Sequence, residues 1–137
     1  MFGLVMYEEY LNDILKKKRE FDVRLYSTNV RGRIALVKSK TNLIYGFVDL
    51  ISVKFITYED YVNWHISTRY SVEDARKEIL KNDMLGDNKI KFAYAYQFGN
   101  IKVLKHPYKL DPIRKKGAWI EFDNEKTQKP YIQLKLF

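Results

Sequence analysis

Residues 14–33 read Ile14-Leu15-Lys16-Lys17-Lys18-Arg19-Glu20-Phe21-Asp22-Val23-Arg24-Leu25-Tyr26-Ser27-Thr28-Asn29-Val30-Arg31-Gly32-Arg33. An amphipathic helix ends there in a cation run, Lys16 to Arg19. Phe21, Val23 and Leu25 then alternate with Asp22, Arg24 and Tyr26, the period of a half-buried strand, so the second three side chains share one face. A turn follows at Arg31-Gly32-Arg33. A polar strand face beside a basic helix end suits an anionic ligand. The opposing reading of the cation run is a solvated helix end, favourably placed against the helix dipole.

Working outward, residues 2–6 predict a short apolar strand. Residues 8–18 predict a helix whose Leu11, Ile14, Leu15 and Lys18 stem share one stripe. Residues 34–37 predict a strand ending at Lys38-Ser39-Lys40, and residues 44–56 form a long β-branched and aromatic run. Gly46 inside that run signals a bulge or a close backbone approach. Thr57 with Asp60, and Ser71 with Asp74, resemble capping boxes with Asp in the usual Glu place. Helices are expected over about 58–65 and 72–81. Residues 90–98 alternate as a strand, and Gly99-Asn100 suits a two-residue hairpin turn into Ile101-Lys102-Val103-Leu104. A Lys-, Pro- and Arg-rich loop is expected over 105–117, followed by strands near 118–122 and 130–137. Short strands with helices in the connections predict an α+β fold, a small mixed β-barrel with two or three helices.

The 137 residues suit one domain, 1–137, and 46% hydrophobic content excludes a disordered chain. Absence of Cys removes disulfides, thiolate chemistry and Cys-based zinc sites. His65 and His106 lie far apart in sequence and offer no ligand spacing, so neither a metal nor a cofactor is expected. The apolar opening Met1–Tyr7 is too short to span a membrane and lacks a cationic start, which predicts a cytoplasmic protein with no membrane partner. A formal charge of +8 favours polyanions, because each neutralised phosphate releases counterions.

The order of helix, cationic turn, strand, Arg-Gly turn and Lys-Ser-Lys strand end resembles the activating signal cointegrator homology (ASCH) domain, a PUA-like β-barrel family. Its motif Gly-x-Lys-x-x-Glu-x-Arg, with Thr for Glu in some members, falls on Lys17-Lys18-Arg19-Glu20-Phe21-Asp22-Val23-Arg24. The family's Tyr-Ala-Trp strand is similar to Tyr94-Ala95-Tyr96, and its late Gly-x-Trp element to Gly117-Ala118-Trp119. The resemblance is strongest over residues 4–122. Three departures stand out: Lys17 replaces the motif Gly, Arg19 its Lys, and Asp22 its Glu or Thr.

The resemblance implies either RNA binding or hydrolysis, since some members are amidohydrolases of acetylated cytidine and others are linked to RNA cleavage. The hydrolase arrangement implied by the family uses the motif Lys, the Thr and a later Glu. Arg19 cannot act as the base, because guanidinium stays protonated. The later Glu should fall near Thr68-Arg69, where no clear carboxylate stands. Binding is therefore expected through Arg19, Asp22, Arg24, Tyr26, Lys38, Ser39 and Lys40, with Lys116 and Trp119 from the late loop. Arg suits this role because its planar fork grips phosphate. The enzyme alternative is a metal-independent nucleoside amidohydrolase or ribonuclease using Asp22 with Lys18 or Lys40. A third reading is a protein-interaction module whose late basic loop docks an acidic partner. Oligomeric state is left open.

Overall fold

A computed structural model of the chain describes residues 1–68 and 92–123, with the side chains of 64–68 outside that description. The expected helix at 72–81, with its Ser71 cap, and the expected strand at 130–137 lie outside the described residues. The elements in chain order are β1 (Phe2–Met6), α1 (Glu8–Leu15), β2 (Phe21–Arg24), β3 (Gly32–Lys38) and β4 (Leu43–Thr57). They continue with α2 (Tyr58–Thr68), β5 (Phe92–Lys109), β6 (Pro112–Lys116) and β7 (Trp119–Phe122). The strands are hydrogen-bonded in the order β2-β5-β4-β3-β1-β7-β6. This mixed sheet with two helices bears out the α+β class. The barrel expectation is corrected: the order ends at β2 and β6, so among the described residues the sheet is open.

Local signals set most boundaries. α1 keeps the expected Leu11 and Ile14 face, both buried, but stops three residues short of Lys18. The reason is a Schellman closure: the Lys18 N–H donates to the Asp13 carbonyl at 2.9 Å and the Lys17 N–H to the Ile14 carbonyl at 3.0 Å. Lys17 takes the left-handed conformation this motif demands, with φ 58°. That is the position where the resembled motif carries Gly. Lys17→Gly is accordingly expected to raise stability by about 0.5–1 kcal/mol, because Gly relieves the strain of a side chain there. Urea denaturation showing no change or a loss would contradict the assignment.

At α2 the expected capping box forms in full. The Thr57 N–H donates to Asp60 Oδ2 at 3.1 Å, and the Asp60 N–H donates to Thr57 Oγ1 at 3.2 Å. Thr57→Ala removes one acceptor and should cost about 1 kcal/mol, read as a lowered urea midpoint.

The chain divides into two compact units. The first holds Met1–Asp22, Asn29–Ser52 and the described residues from Gln97 onward; the second holds Val23–Thr28 and the described part of Val53–Tyr96. In the first unit β1 pairs parallel with β3 (Leu4↔Leu36) and antiparallel with β7 (Leu4↔Trp119). Ile34 to Val37 are buried without a break, as expected of a central strand covered on both faces. Ala35, Val37, Ile44, Leu110, Ile120 and Phe122 form one core. By register, Leu4, Met6 and Leu36 line the opposite face and are buried too. The second unit has a smaller core in which Tyr61 and Ala93 pack with Val23, Ile56, Tyr58 and Val62.

Gly46 fulfils both readings of an interrupted strand. The pairs Leu36↔Gly46 and Val37↔Ile44 skip Tyr45, which is a bulge. A Cβ at Gly46 would also lie 2.7 Å from the Lys102 carbonyl oxygen. Two expectations fail nearby. Gly99-Asn100 does not turn the chain, because β5 runs unbroken through it. Asn100 instead adopts φ 49°, donating from Nδ2 to Asp49 Oδ2 at 2.7 Å while its carbonyl accepts from Arg33 Nη1 at 2.6 Å. The expected loop at 105–117 is strand over most of its length, because β6 pairs with β7 across a tight Gly117-Ala118 turn with Gly117 at φ 58°. No helix among the described residues is long and apolar enough to cross a membrane.

Candidate functional site

The predicted site residues fall into four places. Arg19 follows the Schellman turn and folds back on α1. Its guanidinium stands 5.4 Å from the Tyr10 ring centroid and 4.0 Å from Asp13 Oδ2, with only 9% of its side chain exposed. Asp22, on β2, is 6% exposed and is the one buried charged residue among those described. Alternation had placed Phe21 and Val23 inward and Asp22 outward. Instead both apolar neighbours are half-buried, because β2 is a short end strand that the period alone does not orient.

Arg24 and Tyr26 belong to the second unit. Arg24 ends β2 half-buried. Tyr26 lies beyond the strand with 80% of its surface exposed, and its carbonyl accepts a hydrogen bond from the buried Tyr96 hydroxyl. Thus Tyr96, on the strand expected over 90–98, is core, with its hydroxyl satisfied within the unit. Tyr94 instead packs edge-on against Phe55 and Phe92.

Lys38 ends β3, and Ser39 and Lys40 enter the turn after it. Lys38 Nζ lies 3.3 Å from Glu8 Oε1 and 5.7 Å from the Tyr45 ring centroid. The Ser39 N–H donates to the Met6 carbonyl at 2.8 Å, and the Thr41 N–H closes the turn onto the Lys38 carbonyl at 3.2 Å. Lys40 is exposed with φ 66°.

Lys116 and Trp119 face each other across the β6–β7 turn as register partners. Lys116 is exposed, and Trp119 is half-buried in edge-on contact with Phe2.

Topology brings the last two places to one end of the sheet. β1 ends at Met6, paired with Lys38 of parallel β3, while antiparallel β7 begins at Trp119 beside Leu4. The Val5 N–H donates to the Ala118 carbonyl at 2.8 Å, so the β6–β7 turn lies against the end of β1. The Lys38–Lys40 and Lys116–Gly117 turns therefore flank β1, three strand steps apart, or about 14 Å at ordinary strand spacing. Sequence spacing hid this neighbourhood, because its two turns are far apart along the chain. Among the described residues no three His, Asp or Glu side chains gather as a metal site.

The backbone fold has counterparts among solved structures. The chain superposes on a crystal structure of an ASCH protein from Zymomonas mobilis with TM-score 0.60 at 15% identity, over 93% of this chain and 90% of that one. A serine-to-alanine mutant of the same protein matches with TM-score 0.64 at 14% identity, over 98% and 94% of the two chains. A tyrosine-to-phenylalanine mutant matches with TM-score 0.59 at 17% identity, over 93% of each. This chain has the ASCH fold. At such low identity the likeness carries the backbone arrangement alone. No protein-family model matches the chain, and no curated protein does.

Proposed function

We propose that this ASCH-fold chain binds RNA or a nucleotide-like anion through the basic end of its first unit. The observation that carries the reading is that two lysine-bearing turns, Lys38–Lys40 and Lys116–Gly117, stand at the same end of the sheet on either side of β1. Lys40 and Lys116 are exposed and serve as phosphate contacts, Ser39 adds a hydroxyl in the Lys40 turn, and Lys38 is steadied by Glu8. Arg19 and Asp22 lie away from these turns, Arg19 folded back on α1 and Asp22 on the edge strand β2. Arg19 is packed over Tyr10 and Asp22 is buried, which favours a binding role over hydrolysis. Arg24 and Tyr26 are separate candidate contacts on the second unit.

Fluorescence anisotropy of a labelled 12-nucleotide oligouridine, titrated over a range of salt, tests the reading. Binding should weaken steeply with salt, and the Lys40→Ala, Lys116→Ala double variant should flatten the slope of log K against log salt by about 1.4, roughly 0.7 per lost contact. An unchanged slope would remove these lysines from the interface. Turnover of acetylated cytidine that disappears in Asp22→Asn would instead establish the hydrolase.

A further inference from the structure

One face of the first unit begins at Lys116 and continues past the turn along β6, β7 and β1. In the β6–β7 pair, Arg114 is in register with Glu121 and Lys116 with Trp119. In the β7–β1 pair, Glu121 is in register with Phe2. Directly opposed residues share a face and alternate ones return to it, so Arg114, Lys116, Trp119, Glu121 and Phe2 all project from the same side. Gly3, Ile120 and Lys115 project from the other, where Ile120 joins the core.

The Phe2 and Trp119 rings meet edge to face at 6.4 Å and 85°. Phe2 nonetheless keeps 42% of its surface exposed, so this aromatic pair is open on one side. Every residue of β6 is exposed, and among the described residues no ion pair engages Arg114 or Lys116. An edge strand carrying cations discourages strand addition by another chain. That explains charge on β6 but not a partly exposed aromatic pair one and two strands inward, on β7 and β1.

We propose that this face is a stacking platform for single-stranded polynucleotide, with unpaired bases lying on Phe2 and Trp119 and phosphates meeting Arg114 and Lys116 along the rim. The proposal rests on the polyanion-binding reading and extends it from phosphate contact to base contact. Stacking on aromatic rings beside a cationic track is the chemistry of single-strand recognition, and it needs bases whose faces are free. A duplex hides those faces. Glu121, between Arg114 and Phe2, repels phosphate from the aromatic centre and keeps the backbone on the β6 side.

The test measures binding of 12-nucleotide oligouridine, oligothymidine and a 12-base-pair RNA duplex by anisotropy at matched salt. Phe2→Ala should weaken oligouridine and oligothymidine about tenfold without changing the salt slope, and Phe2→Tyr should restore most of the loss. Arg114→Ala should lower the slope by about 0.7. Glu121→Gln should tighten binding, and the duplex should bind more weakly than either single strand. A preference for oligouridine over oligothymidine would identify RNA as the source of the ligand. Oligouridine binding that ignores Phe2→Ala and Arg114→Ala but weakens in Lys40→Ala would overturn the platform while leaving the basic turns in place. No binding of any probe at low salt would overturn both. An acidic peptide that binds more tightly than either oligonucleotide, and loses affinity in Arg114→Ala, would overturn the platform in favour of a protein partner.

Discussion

Phe122→Ala is expected to lower the free energy of unfolding by about 3–5 kcal/mol, the range for deleting a fully buried ring. Phe122 is the largest fully buried side chain among the described residues and packs with Ala35, Val37, Ile44, Leu110 and Ile120. The site cannot collapse easily, because the same residue is tied through its backbone. Its N–H donates to the Met1 carbonyl at 2.8 Å, and its carbonyl accepts from the Met1 amine at 3.1 Å. The ring also lies over Gly3, where an added Cβ would stand 2.7 Å from Cε2. Gly3→Ala and Phe122→Leu should therefore each destabilise, and the double variant should lose less than their sum, since the smaller side chain makes room. Urea denaturation of the four proteins measures this coupling. A loss below about 1 kcal/mol for Phe122→Ala would mean that the core is packed differently.

Gly46→Ala is expected to cost about 2–3 kcal/mol, at the upper end for overpacking a dense site. Its new Cβ would meet the Lys102 carbonyl oxygen at 2.7 Å and Leu15 Cδ2 at 2.8 Å. Leu15 can rotate aside, but a backbone carbonyl in a strand cannot move without bending β5. The effect should be larger than that of Gly3→Ala, whose nearest neighbours are side chains. Comparable losses for the two substitutions would show that β5 yields easily at Lys102. The same change should disturb α1, because Leu15 is the last residue of that helix.

The sequence was most legible where a signal is local. The Thr57-Asp60 box was recognised from two residues three apart and forms with both of its hydrogen bonds. Gly46 was marked from its place inside a β-branched run, and both the bulge and the close approach are present. Legibility fell where the answer depended on neighbours. Gly99-Asn100 has the composition of a hairpin turn, yet Asp49 and Arg33 on adjacent strands hold Asn100 in its left-handed conformation while the strand continues. Arg114-Lys115-Lys116 reads as a solvated loop because nothing apolar alternates there. It is strand because β7 offers it a register across a tight turn. Asp22 reads as outward from its period, and its burial is visible only once β2 is placed.

For the candidate site, residue types were legible and their grouping was not. Lys38–Lys40 and Lys116–Trp119 stand out in the sequence by charge and aromatic character. Their meeting at one sheet end follows from β1 pairing parallel with β3 and antiparallel with β7. Phe2 was read as part of an apolar strand, and only its edge-on contact with Trp119 gives it a place in the site.

By itself, then, the sequence determined the strand and helix periods, the α2 cap, the positive charge and the absence of thiol chemistry. These depend on residues within a few positions of one another or on composition alone. Tertiary structure alone decided that the sheet is open among the described residues, that Arg19 and Asp22 turn inward, and that cations and rings distant in the chain share one end of a unit. Each of those outcomes is fixed by which strands become neighbours, and pairing partners are chosen by long-range burial that no local window contains.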